Sequence, residues 1–264
     1  MISAKLPSLA VGLSLAASAM ATSIIYPLYS YPEDGCSAWS AILPSSSALD
    51  SITAYPQITF YFIVNPDSGP GTVAKDDSTY TGCIAKLRPS ESTNTVLLGY
   101  VDTAYGSKST SNVATEVSTY ANWPTSYHMD GIFFDDVDAT SKLQSYYSTI
   151  TANVKTHSVL KYVTLNPGTT PLASYYTFAD YIMSVETEYS DFKLSSLSIS
   201  SSSPASKQFV ILYAGPTETP AAMITSLAAD GIEAIYLTDK PASNPYDTVM
   251  DNWGTFLSDV AATN

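Results

Sequence analysis

Histidine and cysteine are scarce, with two of each in 264 residues. A zinc site assembled from several imidazoles or thiolates is therefore nearly excluded. Basic residues are also few: eleven Lys and Arg stand against 24 Asp and Glu, a formal net charge of −13. Such a chain repels nucleic acid and anionic lipid, so neither is expected as a partner. Beyond the N-terminal stretch no run approaches the roughly 20 apolar residues of a membrane span, and none is expected. No phosphate-binding G-x-x-x-x-G-K-[ST] loop and no G-x-S-x-G nucleophile elbow occurs. Neither His128 nor His157 falls in a triad pattern. Ser68-Gly69-Pro70-Gly71 is glycine-rich but lacks the lysine and the helix signature, and reads as a tight turn. Asp135, Asp136 and Asp138 match no calcium-loop spacing, so no metal set is assigned. No cofactor is implied.

What is present is a core. Apolar residues make up 45% of the chain and charged residues 13%, enough burial to oppose the entropy of ordering. Residues 1–21 carry one charge, Lys5, then an apolar stretch ending Ala19-Met20-Ala21. That is the form of a secretory signal peptide, leaving residues 22–264 as one domain. A secreted, extracellular protein, with cell-wall association left open, is expected. An oxidising destination makes Cys36 and Cys83 a disulfide, worth roughly 3–4 kcal/mol in loop-entropy models.

Eight short Ile/Val/Phe/Tyr-rich runs follow: Ser23–Leu28, Ile58–Val64, Val96–Val101, Gly131–Asp135, Lys161–Leu165, Tyr181–Val185, Gln208–Tyr213 and Glu233–Leu237. Most are dense rather than alternating, as strands covered on both faces are. Their starts are about 30 residues apart, the size of one strand-helix unit. Eight such units predict a single (β/α)8 barrel, with an open doubly wound sheet as the competing fold. Helices are expected over Thr140–His157 with a Thr cap, Thr219–Asp230 and Asp247–Ala261. Thr170–Ala179 is barely long enough for one. Ser195–Ser203 holds seven serines in nine residues and reads as a flexible surface loop.

In a parallel barrel, chemistry collects at the C-terminal strand ends. Those ends deliver Tyr26, Asn65, Asp102, Tyr105, Asn166, Tyr189, Tyr213 and Asp239, the candidate substrate-binding residues; the opposite ends show less of it. The strongest feature is Asp130-Gly131-Ile132-Phe133-Phe134-Asp135-Asp136, an apolar strand ending in two carboxylates, with Glu186 in the same place two strands later. Adjacent strand residues face opposite ways, so one of the pair should point to the axis and the other to a loop. Asp135, Asp136 and Glu186 are the candidate catalytic residues. Breaking a glycosidic bond needs an acid at the leaving oxygen and a carboxylate opposite, with pKa values split by environment. The competing role for an aspartate at a strand end is to cap the next helix. Tyrosine is abundant, at 20. Tyr26, Tyr29, Tyr100, Tyr105, Tyr189 and Tyr213 sit near the expected mouth, and a ring face with a polar tip suits a sugar.

Taken in order, Tyr26-Pro27, Asn65-Pro66-x-Ser68-Gly69-Pro70-Gly71, Gly99-Tyr100-Val101-x-Thr103-x-Tyr105-Gly106, Asp130–Asp135, Asn166-Pro167-Gly168 and Ala179-Asp180…Glu186 resemble the spherulin-4-like (spherulation-specific) family along nearly all of residues 22–264. The resemblance implies a (β/α)8 barrel and a secreted, fungal-type glycoside hydrolase. Its implied substrate is an amino-sugar polysaccharide, α-1,4-linked galactosamine or N-acetylgalactosamine, cut internally. It also implies roles for Asp135, Asp136 and Glu186. The family has Glu where this chain has Asp136, one methylene shorter; a pull-back of about 1.5 Å can cost ~10²-fold in rate. Glu186 is assigned the general acid, Asp135 the nucleophile or stabiliser, and Asp136 an orienting role. Attack by the substrate's own 2-acetamido group stays open, as does a metal-assisted sugar-modifying reaction. The alternative to an enzyme is a non-catalytic cell-wall or spore-coat saccharide-binding protein. A monomer is expected.

Overall fold

The computed structural model describes residues 22–43, 52–72, 76–88 and 94–264. The expected leader, residues 1–21, lies outside them. The elements run β1 (Ser23–Leu28), β2 (Phe60–Val64), α1 (Ser78–Lys86), β3 (Thr95–Asp102), α2 (Thr110–Ala121), β4 (Gly131–Asp135), α3 (Gln144–Val154), β5 (Tyr162–Leu165), β6 (Tyr181–Glu188), β7 (Gln208–Tyr213), α4 (Ala221–Ala229), β8 (Ala234–Leu237) and α5 (Trp253–Ala261). All eight strands are parallel, and β8 pairs back onto β1 through Ser23 beside Ala234. The sheet is closed, so the barrel holds and the open sheet does not.

The strands are buried on both sides because both sides are covered. Ile24, Phe60, Phe62, Leu98, Ile132, Phe134, Val163 and Ile235 are all fully buried. Gly131 shows how close the packing is. A Cβ there would lie 2.3 Å from the Tyr162 carbonyl oxygen on β5, so only glycine fits at the start of β4.

The crossovers depart from expectation in places. Among the described residues, the links β1–β2, β5–β6 and β6–β7 hold only 3₁₀ turns, including Ala173–Thr177 and Leu194–Ser196. The helix expected over Thr140–His157 begins only at Gln144 and has no side-chain cap. The Thr140 carbonyl instead accepts from Leu143 N–H. The helix expected from Asp247 starts at Trp253, because residues 241–252 form turns. The serine run is a surface loop, and hydrogen bonds anchor it. The Ser200 hydroxyl accepts from the backbone N–H groups of Ser202 and Ser203, and Gln208 donates its amide to the carbonyls of Ser198 and Ser203.

Cys36 and Cys83 form the disulfide, with Cα atoms 5.6 Å apart. It ties the segment after β1 to α1. The N-terminal strand ends are richer in charge than expected, and that charge is structural. Asp130 pairs with Arg88 and accepts from Leu97 N–H on β3. Asp180 does the same with Lys155 and Val163 N–H on β5. Each carboxylate ties two neighbouring strands at the bottom of the barrel.

Candidate active site

The functional carboxylates meet at the C-terminal mouth, and strand register decides how. Asp135 pairs with Asp102, and Phe133 with Tyr100, so Tyr100 and Asp135 face the same way. Tyr100 donates its hydroxyl to Asp135 Oδ2 at 2.7 Å. Asp136 follows with φ of 50°, the left-handed region. Its carbonyl accepts from Tyr105 N–H at 2.8 Å and from the Thr103 hydroxyl at 2.8 Å. Ser68, Ala104, Tyr105 and Ala214, just past the ends of β2, β3 and β7, also have positive φ. Non-glycine residues held there cost free energy, and they gather at functional sites.

Glu186 reaches the mouth through an irregularity. Met183 pairs with Phe209, but Val185 pairs with Val210, so Ser184 is an inserted residue. Tyr181 stacks on Phe209, and Tyr61 packs against both rings at steeper angles inside the barrel. In an unbroken register Glu186 would match Leu212 and turn outward. With the bulge it matches Ile211 and turns inward. A bulge that re-aims a side chain beside a site is a known use of one. The Ser184 hydroxyl is held by Gln208 Oε1 at 2.8 Å.

Asn166, at the end of β5, joins the two acids. Its amide donates to Asp135 Oδ1 and to Glu186 Oε2, each at 2.7 Å. Its own Oδ1 accepts from Gly168 N–H, which fixes the amide's orientation. Tyr246, from the segment between β8 and α5, donates to Glu186 Oε1 at 2.5 Å. Burial pushes the Asp135 carboxyl up to about 6; the Tyr100 bond opposes this and the nearby Glu186 charge adds to it. Burial, then Glu186, pushes the Tyr246 hydroxyl up, and burial with Asp135 does the same to Tyr100. Both phenols therefore remain donors at any physiological pH.

Asp135 and Glu186 line an open cleft of about 280 Å³ with Tyr105, Asp136, Asn166, Pro167 and Tyr213. None of its lining residues is Lys or Arg. Tyr105 is 64% exposed, and a hydrogen bond to Asp136 raises its hydroxyl pKa. It stands as an aromatic wall at the lip. No cluster of His, Cys, Asp or Glu suited to a metal ion occurs among the described residues.

The sequence-derived candidates thus separate. Asp135, Asp136, Glu186, Tyr105, Asn166 and Tyr213 share the cleft. Tyr189 and Asp239 line a separate, much narrower pocket of about 10 Å³ with Thr238 and Asn252. Asp102 is half-buried and caps Ala104 N–H at 2.6 Å. Asn65 is half-buried, with its Oδ1 unpartnered. Tyr26 is not at the mouth at all. It is 3% exposed and packs on Phe62, Tyr236 and Trp253, because its place in β1 points it outward beneath α5. Tyr246 was missed, since it lies in a segment with no periodic signal.

The sequence matches the Spherulin4 family, described as spherulation-specific family 4, over residues 23–260. It is 31% identical to Spherulin-4 of Physarum polycephalum over 171 residues, 64% of this chain and 46% of that protein. The chain thus spans about half the length of this curated relative. Among solved structures, Aspergillus clavatus Sph3 in complex with GalNAc superposes with a TM-score of 0.76 at 28% identity, covering 91% of this chain and 97% of that one. The catalytic domain of a family GH18 chitinase from the fern Peteris ryukyuensis shares the fold, with a TM-score of 0.54 at 14% identity over 92% of this chain and 100% of that one.

Proposed function

The chain belongs to spherulation-specific family 4, and from that premise we propose that it is an extracellular glycoside hydrolase acting inside amino-sugar polysaccharides built of galactosamine or N-acetylgalactosamine. The likeness to Sph3, whose structure holds GalNAc, supports a carbohydrate-active protein. The disulfide supports an oxidising, extracellular setting. One observation carries the enzymatic reading: a single Asn166 nitrogen bonds both Asp135 and Glu186 at 2.7 Å. Their bonded oxygens are therefore no further apart than twice that length. Such closeness suits the roughly 5–5.5 Å carboxyl spacing of retaining hydrolases and falls short of the ~6.5–9.5 Å of inverting ones.

In this reading Glu186 protonates the leaving glycosidic oxygen and Asp135 attacks the anomeric carbon. The glycosyl–Asp135 ester is then cleaved by water, from which Glu186 takes the proton. Tyr100 and Asn166 hold the Asp135 oxygens so that one geometry is presented before substrate arrives. Asp136 orients the Tyr105 wall. An anionic cleft without Lys or Arg favours sugars bearing free ammonium groups, which the net charge of −13 would draw in.

The test is a digest of defined galactosamine and N-acetylgalactosamine polymers by wild type, Asp135→Asn and Glu186→Gln, with products read by mass and anomeric NMR. Oligosaccharides released by wild type alone, first in the substrate's own anomeric form, are expected. Equal release by all three rejects the assignment. Binding without release would favour a saccharide-binding coat or wall protein.

A further inference from the structure

Tyr29 lies just beyond β1 and is half-buried at the mouth, yet the reaction above uses neither its ring nor its hydroxyl. Its ring centroid is 5.6 Å from that of Tyr100 and 5.6 Å from that of Tyr246, at 84° to both. These are the two tyrosines whose hydroxyls bond the carboxylates: Tyr100 bonds Asp135 and Tyr246 bonds Glu186. On the opposite side, Asn166 ties the remaining oxygens of the same two acids. The arrangement is a closed circuit. It runs from Asp135 through Tyr100, Tyr29 and Tyr246 to Glu186, and back through Asn166.

We propose that Tyr29 is a positioning residue of the reaction centre, its ring set edge-on between Tyr100 and Tyr246 so that both clasping hydroxyls, and through them both carboxylates, keep one spacing. Edge-to-face packing fixes ring orientation as well as distance. Tyr100 stands on a barrel strand, but Tyr246 comes from a turn-rich segment outside the barrel. Without a ring between them, Tyr246 loses a contact that ties it to the strand side of the site. The half-buried ring packs on Tyr100, whose hydroxyl bonds Asp135, so removing it opens space beside that pair. The electrostatics agree: after burial, Asp135 and Glu186 are the next causes that raise the Tyr29 hydroxyl pKa, so Tyr29 lies in the field of both acids.

The consequence for rate rests on the hydrolase reading; the geometry does not. The test uses the whole protein, ¹³C-labelled at Asp and Glu carboxyls and titrated by NMR, with signals assigned from Asp135→Asn and Glu186→Gln. Asp135 titrates at about 6 in wild type. Tyr29→Ala admits water beside it, and its midpoint falls by about one unit or more towards the ordinary ~3.9. Tyr29→Phe keeps the ring and the wild-type midpoint. On polymer, Tyr29→Ala lowers kcat by ~10–100-fold with KM changed less than ~3-fold, and Tyr29→Phe restores most of the loss. An alanine variant that titrates as wild type overturns the proposal. So does a phenylalanine variant that falls with it, because the hydroxyl would then be responsible. Should the alanine variant not fold, Tyr29→Leu faces the same two criteria. A protein that releases no sugar but shifts as expected refutes the hydrolase reading and leaves the frame standing, while hydrolysis with an unmoved titration does the reverse.

Discussion

Burial holds the Asp135 carboxyl near 6, against about 3.9 for an aspartate in an unfolded chain. Two outcomes follow from that one difference. For chemistry, Asp135 must be ionised to attack, so hydrolysis falls as the solution is acidified through about pH 6. A kcat/KM profile measures this limb. A rate that instead falls as pH rises through the same value would exchange the roles of Asp135 and Glu186. For stability, the folded state binds this proton more tightly than the unfolded state. Folding therefore loses free energy as pH rises from ~4 to ~6 and gains none back above it. Asp135→Asn removes the titration while keeping an oxygen for the Asn166 amide. The variant should be more stable than wild type by ~2 kcal/mol at pH 7 and no more stable at pH 3. Urea unfolding at the two pH values checks the sign. A gain at both would show that charge burial is not the cause. Stability given up at a reacting group is a common trade.

At the scale of elements, the eight strands were legible because the covered barrel makes each one a dense apolar run, and their ends moved by only a few residues. The carboxylates were legible for the same reason: polar residues that end an apolar run stand out. Three things were not. The absent helices in the β5–β6 and β6–β7 crossovers leave no signal beyond short length and serine richness. The Ser184 bulge that turns Glu186 inward does not show in an ordinary strand sequence. Tyr26 and Tyr246 were misjudged in opposite directions, since a strand's facing follows from register, and a contact spanning 60 residues follows from the whole fold. In the sequence Gly131 reads only as part of a motif, but the structure makes it a packing requirement. With Tyr162 O 2.3 Å from any Cβ, Gly131→Ala must part β4 from β5. Overpacking on this scale costs about 1–3 kcal/mol or more, and a lowered Tm by calorimetry is expected. Reduction of Cys36–Cys83, which frees the segment after β1 from α1, should lower stability by roughly 3–4 kcal/mol. A denaturant midpoint unmoved by reductant would show that the packing around Trp39 and Tyr80 holds that corner alone.

Over the whole molecule, charge is the dominant property outside the core. The formal net charge is −13, and two of the eleven basic residues are paired at the barrel's bottom, Arg88 with Asp130 and Lys155 with Asp180. The mouth, by contrast, presents Asp135, Asp136 and Glu186 with no Lys or Arg among the cleft's lining residues. A polycation therefore meets a field that grows stronger towards the site, and encounter is accelerated. A neutral, fully acetylated polymer meets no such field. Screening separates the two cases, because the Debye length shrinks from about 30 Å at 0.01 M salt to about 8 Å at 0.15 M. The expected outcome is a fall of ~10-fold or more in kcat/KM on deacetylated galactosamine polymer over that range. The acetylated polymer should change by less than ~2-fold, since short-range contacts in the cleft are screened little. The loss should appear in KM while kcat holds, because screening weakens capture and leaves the bound geometry unchanged. Equal salt sensitivity for both polymers would mean that salt acts on the protein itself, and the anionic mouth would then have no part in selecting the substrate.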